Sequence, residues 1–160
     1  MATEKLKFKI ELYAEMWNQA PIVEIIINHT GIIQERIHRD KNAPHIIEFE
    51  HELQEDTTNK LILKRSNKLK DETVVSQDGH IIKDQILHIK SIEIDEIDIG
   101  SLVYEGVYEP KYAEPWFTQI KEAGREPPKT FKNCTGLGHN GTWTFTFGSP
   151  FYMWLLENLY

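Results

Sequence analysis

The sequence predicts a mainly β chain: an antiparallel β-sandwich, jelly-roll-like, with one or two short helices in its C-terminal third. Three observations predict it. Apolar residues recur with a period of two from the first segment onward. Turn residues interrupt the apolar runs at short intervals. No β-helix-β rhythm appears, so a parallel α/β sheet is not expected. A length of 160 residues fits one domain with a two-layer core.

Leu6, Phe8, Ile10, Leu12, Ala14 and Met16 alternate with Lys5, Lys7, Lys9, Glu11, Tyr13 and Glu15. Successive strand side chains point to opposite faces, so this is a long strand with one dry and one wet face. Residues 22–27 and 32–38 read as a hairpin around Asn28-His29-Thr30-Gly31, with Gly31 free to take positive φ. In the next strand Ile47, Phe49, His51 and Leu53 alternate with Ile46, Glu48, Glu50 and Glu52. Leu61-Ile62-Leu63-Lys64-Arg65 continues after a turn, and a small hairpin is expected around Gln77-Asp78-Gly79-His80. The run 86–99 changes parity twice, since Leu87 and Ile89, then Ile92 and Ile94, then Ile97 and Ile99 alternate in phase. Two β-bulges, near Lys90-Ser91 and Asp95-Glu96, restore one face, as does burial on both sides. Leu102, Tyr104 and Tyr108 extend a strand.

The C-terminal third has a different texture. Pro115 stands where a first helical residue would sit and Gly124 just past the end, which predicts a short helix on a long excursion. Thr142-Trp143-Thr144-Phe145-Thr146-Phe147 alternates as a strand, and 151–160 predicts a terminal helix with Ser149 as N-cap and Pro150 at its first position. Residues 1–108 are therefore expected to close the sandwich core. Residues 109–160 add the loop, short helix, last strand and terminal helix to the same domain.

A net charge of −7 disfavours a nucleic-acid partner, because such a binder supplies Lys and Arg to phosphates. The group Lys64, Arg65, Lys68, Lys70 is offset by Asp71 and Glu72 and reads as a solvated loop. No apolar run is long enough to cross a membrane as a helix, and neither a signal peptide nor a membrane partner is expected. The single Cys134 excludes an internal disulfide. It reads as a small, partly buried side chain. The sequons at Asn28, Asn133 and Asn140 read as turn chemistry. Gly136, Gly138 and Gly141 have G-x-G-x-x-G spacing but precede a strand, so no nucleotide cofactor is expected. Glu93, Asp95, Glu96 and Asp98 could offer oxygen ligands to calcium, yet they also fit the wet face opposite a row of Ile. No metal, cofactor or catalytic group is expected, and no G-x-S-x-G motif occurs.

The aromatic residues exceed what one small core needs. Tyr13 and Trp17 fall on the wet parity of the first strand. With Trp116 they could form a platform for a glycan. Trp116, Phe117, Tyr152, Trp154, Leu155 and Tyr160 are expected to form one interaction end, built from 110–124 and 151–160. The terminal segment could instead pack over its own sandwich. If it is an interface, its deletion should weaken assembly more than folding.

The run Ile86-Leu87-His88-Ile89-Lys90-Ser91-Ile92-Glu93-Ile94, followed by Gly138-His139-Asn140-Gly141-Thr142-Trp143-Thr144-Phe145-Thr146-Phe147-Gly148-Ser149-Pro150-Phe151, resembles small structural or uncharacterised proteins of tailed bacteriophages, including those of marine cyanobacteria. That resemblance implies a non-enzymatic virion component, a capsid decoration or tail or fibre protein, present in repeated copies and contacting other virion proteins. The first 100 residues also resemble the small β-sandwich of calcium-dependent xylan-binding modules. This second likeness implies the alternative, a carbohydrate-binding module for a surface glycan. The Asp-Arg-Asn calcium motif of those modules is not found here, so no calcium or sugar residue is carried over.

Overall fold

A computed structural model describes residues 2–68 and 73–159. The strands are Thr3–Glu15 (β1), Ile22–Ile27 (β2), Thr30–Arg36 (β3), His45–Gln54 (β4), Thr57–Ser66 (β5), Val74–Val75 (β6), Ile81–Lys83 (β7), Ile86–Ile94 (β8), Ile97–Asp98 (β9), Val107–Pro110 (β10), Gly136–Leu137 (β11) and Gly141–Ser149 (β12). The helices are Trp116–Glu122 (α1) and Phe151–Asn158 (α2), with a 3-10 helix over Gly100–Glu105. One sheet has the order β11-β8-β1-β4, with β9 against β8, and the other β10-β12-β5-β2-β3. Strands β6 and β7 pair only with each other. The strand pairings between these elements are antiparallel, so the expected mainly β sandwich is what forms.

The period of two does the sorting. Leu6, Phe8, Ile10, Leu12 and Ala14 of β1 are buried and join one core with Val23, Ile25, Ile27, Leu61, Leu63, Trp143, Phe145 and Phe147 of the second sheet. Phe8 and Phe147 meet across the layers at 6.1 Å between ring centroids. Phe49 stacks on Phe8 at 4.9 Å but lies on the edge strand β4 and is only half-buried. Replacing Phe49 by Ala should therefore cost about 2 kcal/mol, less than the roughly 3–5 kcal/mol of a fully enclosed ring. A lower urea midpoint at unchanged slope would show it, and an unchanged midpoint would mean the ring contributes nothing.

The parity changes in 86–99 have two different causes. In the pairing of β1 with β8, Glu11 faces Ser91 and Leu12 faces Ile89, so Lys90 is the extra residue of a bulge. Asp95 and Glu96 instead form the two-residue turn between β8 and β9, both with positive φ (54° and 69°), as the favoured tight hairpin turns require. At the first hairpin Asn28 takes the left-handed conformation (φ 56°), and Gly31 lies within β3 opposite Ile26. The expected positive φ at Gly31 is thus corrected, because the turn is closed two residues earlier. Asn133 is likewise left-handed (φ 57°).

Three further expectations are corrected. Leu102 and Tyr104 belong to the 3-10 helix, which turns Leu102 into the core before the chain resumes at β10. Gly106 allows that turn, because a Cβ there would lie 2.3 Å from the Trp143 indole. The sandwich is not closed by residues 1–108 alone, since β12 lies between β10 and β5 and buries Trp143, Phe145 and Phe147 completely. Ser149 ends β12 and does not cap α2. The carboxylate of Glu4, on β1, accepts from the Phe151 N–H at 3.1 Å and from Ser149 Oγ at 2.6 Å. A carboxylate there satisfies orphan amides and complements the helix dipole.

Register places the connections at two ends. Glu15 pairs with Ile86, Ile22 with Ser66 and with Arg36, and Gly141 with Arg65 and with Pro110. The long connections 16–21, 37–44, 67–85 and 111–140 therefore leave from one end. The tight turns at 28–29, 55–56 and 95–96, with α2, occupy the other.

Candidate functional site

Long loops on a rigid scaffold are where binding groups concentrate. At the loop-rich end they enclose a cleft of about 380 Å³. It is lined from the 67–85 connection by Lys68, Thr73, Val75, Ile81 and Asp84, and from the 111–140 connection by Lys111, Ala113, Trp116, Gly138, His139 and Asn140.

The polar side of the cleft is built on Asp84. Its Oδ1 accepts from Lys68 Nζ at 2.7 Å, from Thr73 Oγ1 at 2.7 Å and from the Gln85 N–H at 2.8 Å. Burial works to raise the Asp84 carboxyl, but these donors and the lysine charge outweigh it and hold it below the ordinary carboxylate range. The site carboxylate is thus ionised at neutral pH. Lys68 Nζ also donates to the Gly138 carbonyl. Asn140 accepts from the Lys68 N–H at 2.9 Å and donates to the Lys68 carbonyl at 3.1 Å.

Arg65 holds this arrangement from beneath. It occupies the apolar parity of β5, after Leu61 and Leu63, and is buried. Its Nη1 donates to Asn140 Oδ1 at 2.8 Å, and its Nη2 donates to Gln85 O at 2.9 Å and Oε1 at 2.7 Å. Gln85 Nε2 in turn donates to the carbonyls of Gln19 at 2.7 Å and Asn67 at 3.3 Å. One guanidinium thereby ties together loops 16–21, 67–85 and 138–140.

The aromatic side is built on Trp116, whose residue is 42% exposed. Tyr112 packs against Trp116 (5.5 Å), Phe117 (5.6 Å) and His139 (4.8 Å), and Trp116 lies 5.9 Å from His139. Tyr112 Oη donates to the Pro128 carbonyl at 2.5 Å, fixing the excursion that carries α1. Burial lowers the pKa of His139, and the nearby Lys68 and Arg65 charges add to that against the opposing pull of Asp84. A neutral imidazole both donates and accepts hydrogen bonds. Beneath it Tyr108 donates to the His139 carbonyl and accepts its N–H at 2.9 Å, and burial pushes its phenol up to about 12.

Of the residues expected from sequence to bind a glycan, only Trp116 lines the cleft. Tyr13 stacks on His88 at 4.7 Å on the outer face of the first sheet, and Trp17 lies under the Lys83 ammonium at 4.7 Å. The expected single interaction end is overturned. Trp116 and Phe117 leave from the Gly141 end of β12, and Tyr152, Trp154 and Leu155 follow its Ser149 end. A nine-residue strand separates them by roughly 30 Å. Leu155 is 6% exposed, and Trp154 packs edge-on against Phe145 (5.8 Å) and Phe147 (6.5 Å), so both cover the core. Tyr152 is exposed at that far end, and Tyr160 lies outside the described residues, as do Lys70, Asp71 and Glu72.

Other candidates take ordinary roles. Glu93 pairs with Lys9 at 3.8 Å and Glu96 with Lys7 at 3.7 Å, while Asp98 Oδ1 accepts from the Gly100 N–H at 2.8 Å. Among the described residues no group of three or more His, Cys, Asp or Glu comes together to hold a metal. Cys134 is half-buried, and burial raises its pKa, which keeps it a thiol. The glycine-rich turn runs from β11 into β12 and opens no helix. Sequence reading missed Arg65, Lys68, Asp84, His139 and Asn140 as a set. One signal pointed to them: a charged residue on the buried parity of β5.

No family model matches the chain, and no curated protein matches it by sequence. Two solved structures share its fold. One is the selenomethionine form of vCBM60, described with a circular permutation linking two families of calcium-dependent carbohydrate binding modules. It is 10% identical, covers 88% of this chain and 89% of that one, and has a TM-score of 0.51. The other is vCBM60 in complex with galactobiose, 11% identical over 87% of this chain and 96% of that one, with a TM-score of 0.50. Neither comparison supports the resemblance to phage structural proteins. At such identities the likeness is one of fold: this chain is built as a β-sandwich similar to that of carbohydrate-binding modules.

Proposed function

We propose that this protein is a non-catalytic carbohydrate-binding module that takes a glycan in the cleft at its loop-rich end. The observation that carries the reading is Trp116, a part-exposed indole beside the His139 imidazole on the wall of a cleft that also presents an ionised carboxylate and an amide. A pyranose has C–H faces that pack on an aromatic ring and an equator of hydroxyls that need hydrogen-bond partners. Asp84 Oδ1 is committed to Lys68, Thr73 and Gln85, and Oδ2 accepts no hydrogen bond from a described residue. It can take a sugar hydroxyl. Asn140, His139 and Lys111 stand on the same cleft. The fold likeness to modules described as carbohydrate-binding supports the same reading.

Calcium has no part in this proposal. The cleft offers one carboxylate among its described residues, and its Oδ1 is already held by a lysine. Such a set does not fit the six to eight oxygen ligands that calcium takes.

Titration calorimetry with soluble xylo-, cello- and galacto-oligosaccharides tests the reading. Trp116→Ala should lower affinity for the bound oligosaccharide at least about tenfold, as loss of a central aromatic anchor does. Melting temperature should hardly move, because the ring is part-exposed and no residue of α1 is buried. Equal binding by the variant, or no binding of any oligosaccharide at millimolar concentration, would sink the proposal.

A further inference from the structure

Beside the cleft, the β6–β7 hairpin has no role in the core. It pairs with neither sheet of the sandwich, and a two-stranded ribbon alone is marginal in water. Yet it is held in place. Thr73 Oγ1 donates to Asp84 at 2.7 Å at its start, and Lys83 lies over Trp17 at its end. The turn is closed by the Ser76 N–H to the His80 carbonyl at 2.7 Å and back from Gly79 to Ser76 at 3.0 Å, with Gly79 in the left-handed region (φ 90°). The ribbon carries a pair of apolar side chains where a solvated loop would carry polar ones. Val75 and Ile81 are register partners, and cross-strand partners share one face of a ribbon. They are 51% and 62% exposed, and both line the cleft that Trp116 lines.

We propose that the hairpin is the second apolar wall of the cleft, so that a sugar ring is clasped between Trp116 on one face and the Val75–Ile81 pair on the other. The inference rests on the glycan reading and deepens it by naming the sugar class. A ring held between two apolar walls must present C–H groups on both faces and all its hydroxyls at the equator. Gluco- and xylo-configured β-linked pyranoses do so. A galacto-configured ring turns its axial C4 oxygen, as free hydroxyl or glycosidic bridge, onto a wall that offers it no partner, and a buried polar group without a partner is penalised. The polar groups Asp84, His139 and Asn140 then meet the equatorial hydroxyls between the walls. Held this way, the hairpin selects among sugars that Trp116 alone would accept.

The test is calorimetry of the whole chain with cellotetraose, xylotetraose and galactotetraose, on the wild type and on Ile81→Ser, Val75→Ser and Trp116→Ala. The wild type should prefer the gluco- or xylo-chain over the galacto-chain by at least about tenfold, the scale on which small misfits in an apolar pocket are discriminated. Ile81→Ser and Val75→Ser should lower affinity for the preferred chain roughly fivefold and shrink that preference, with melting unchanged because both side chains are exposed. Trp116→Ala should lose binding to all three. If the serine variants bind and discriminate as the wild type does, or if galactotetraose binds as well as the others, the hairpin is not a wall and the proposal falls while the glycan reading stands. If no tetraose binds the wild type, both fall together.

Discussion

Removing residues 151–160 should unfold the protein. Phe151 is fully buried and Leu155 nearly so, and Trp154 closes over Phe145 and Phe147. Gly148 is shaped for this packing, since a Cβ there would lie 2.8 Å from the Trp154 ring. Deleting a buried Phe costs about 3–5 kcal/mol and a buried Leu about 2–5 kcal/mol. Together they approach the whole stability of a domain, about 5–15 kcal/mol. The truncation also strips Glu4 of the amide it caps. Far-ultraviolet circular dichroism and a thermal melt would read the result directly. A cooperative melt within a few degrees of the full chain would mean α2 is an appendage. The expectation that this deletion harms assembly before folding is thereby reversed, because Phe151, Trp154 and Leu155 are spent on the chain's own sandwich, while Tyr152, Met153, Leu156 and Leu159 stay exposed.

Arg65→Ala should be the most damaging single substitution at the cleft. The guanidinium is buried, and its removal leaves Asn140 Oδ1 and both oxygens of Gln85 without their charged donor. Breaking such a buried charged network costs about 3–5 kcal/mol. Loops 16–21, 67–85 and 138–140 lose their common tie at the same time. Urea unfolding should show the loss of stability. Amide exchange at Gln85 and Asn140 should rise further than at Ile10 or Val23, which lie in the core strands away from that tie. A variant as stable as the wild type, with unchanged exchange at those positions, would contradict this account. Arg65→Lys should recover only part of the loss, since a single ammonium cannot span both Asn140 and Gln85 in a fixed fork.

Much of the scaffold is legible in the sequence. The alternation from Leu6 to Ala14 marks β1 because the pleat has the same period. The parity change at Lys90 marks a bulge for the same reason, and Pro115 and Gly124 bracket α1. These features depend on neighbours a few residues away. Chain order misled where sheet order mattered. Nothing local in 141–149 says that the last strand enters the interior of the second sheet, between β10 and β5, and that placement took Trp154 and Leu155 out of full exposure. The parity change at Asp95 and Glu96 has the same imprint on the pattern as a bulge, yet the backbone turns there.

The sequence alone determined a two-layer β-sandwich with alternating wet and dry strands, because hydrophobic period and turn residues act over distances the chain itself spans. It also held the clue of Arg65 among Leu61 and Leu63. The cleft was decided by tertiary structure. Lys68 and Asp84 are 16 residues apart and Arg65 and Asn140 are 75 apart. Contacts of that span are set by which strand lies beside which, and that depends on how two sheets share one core, which no local pattern encodes.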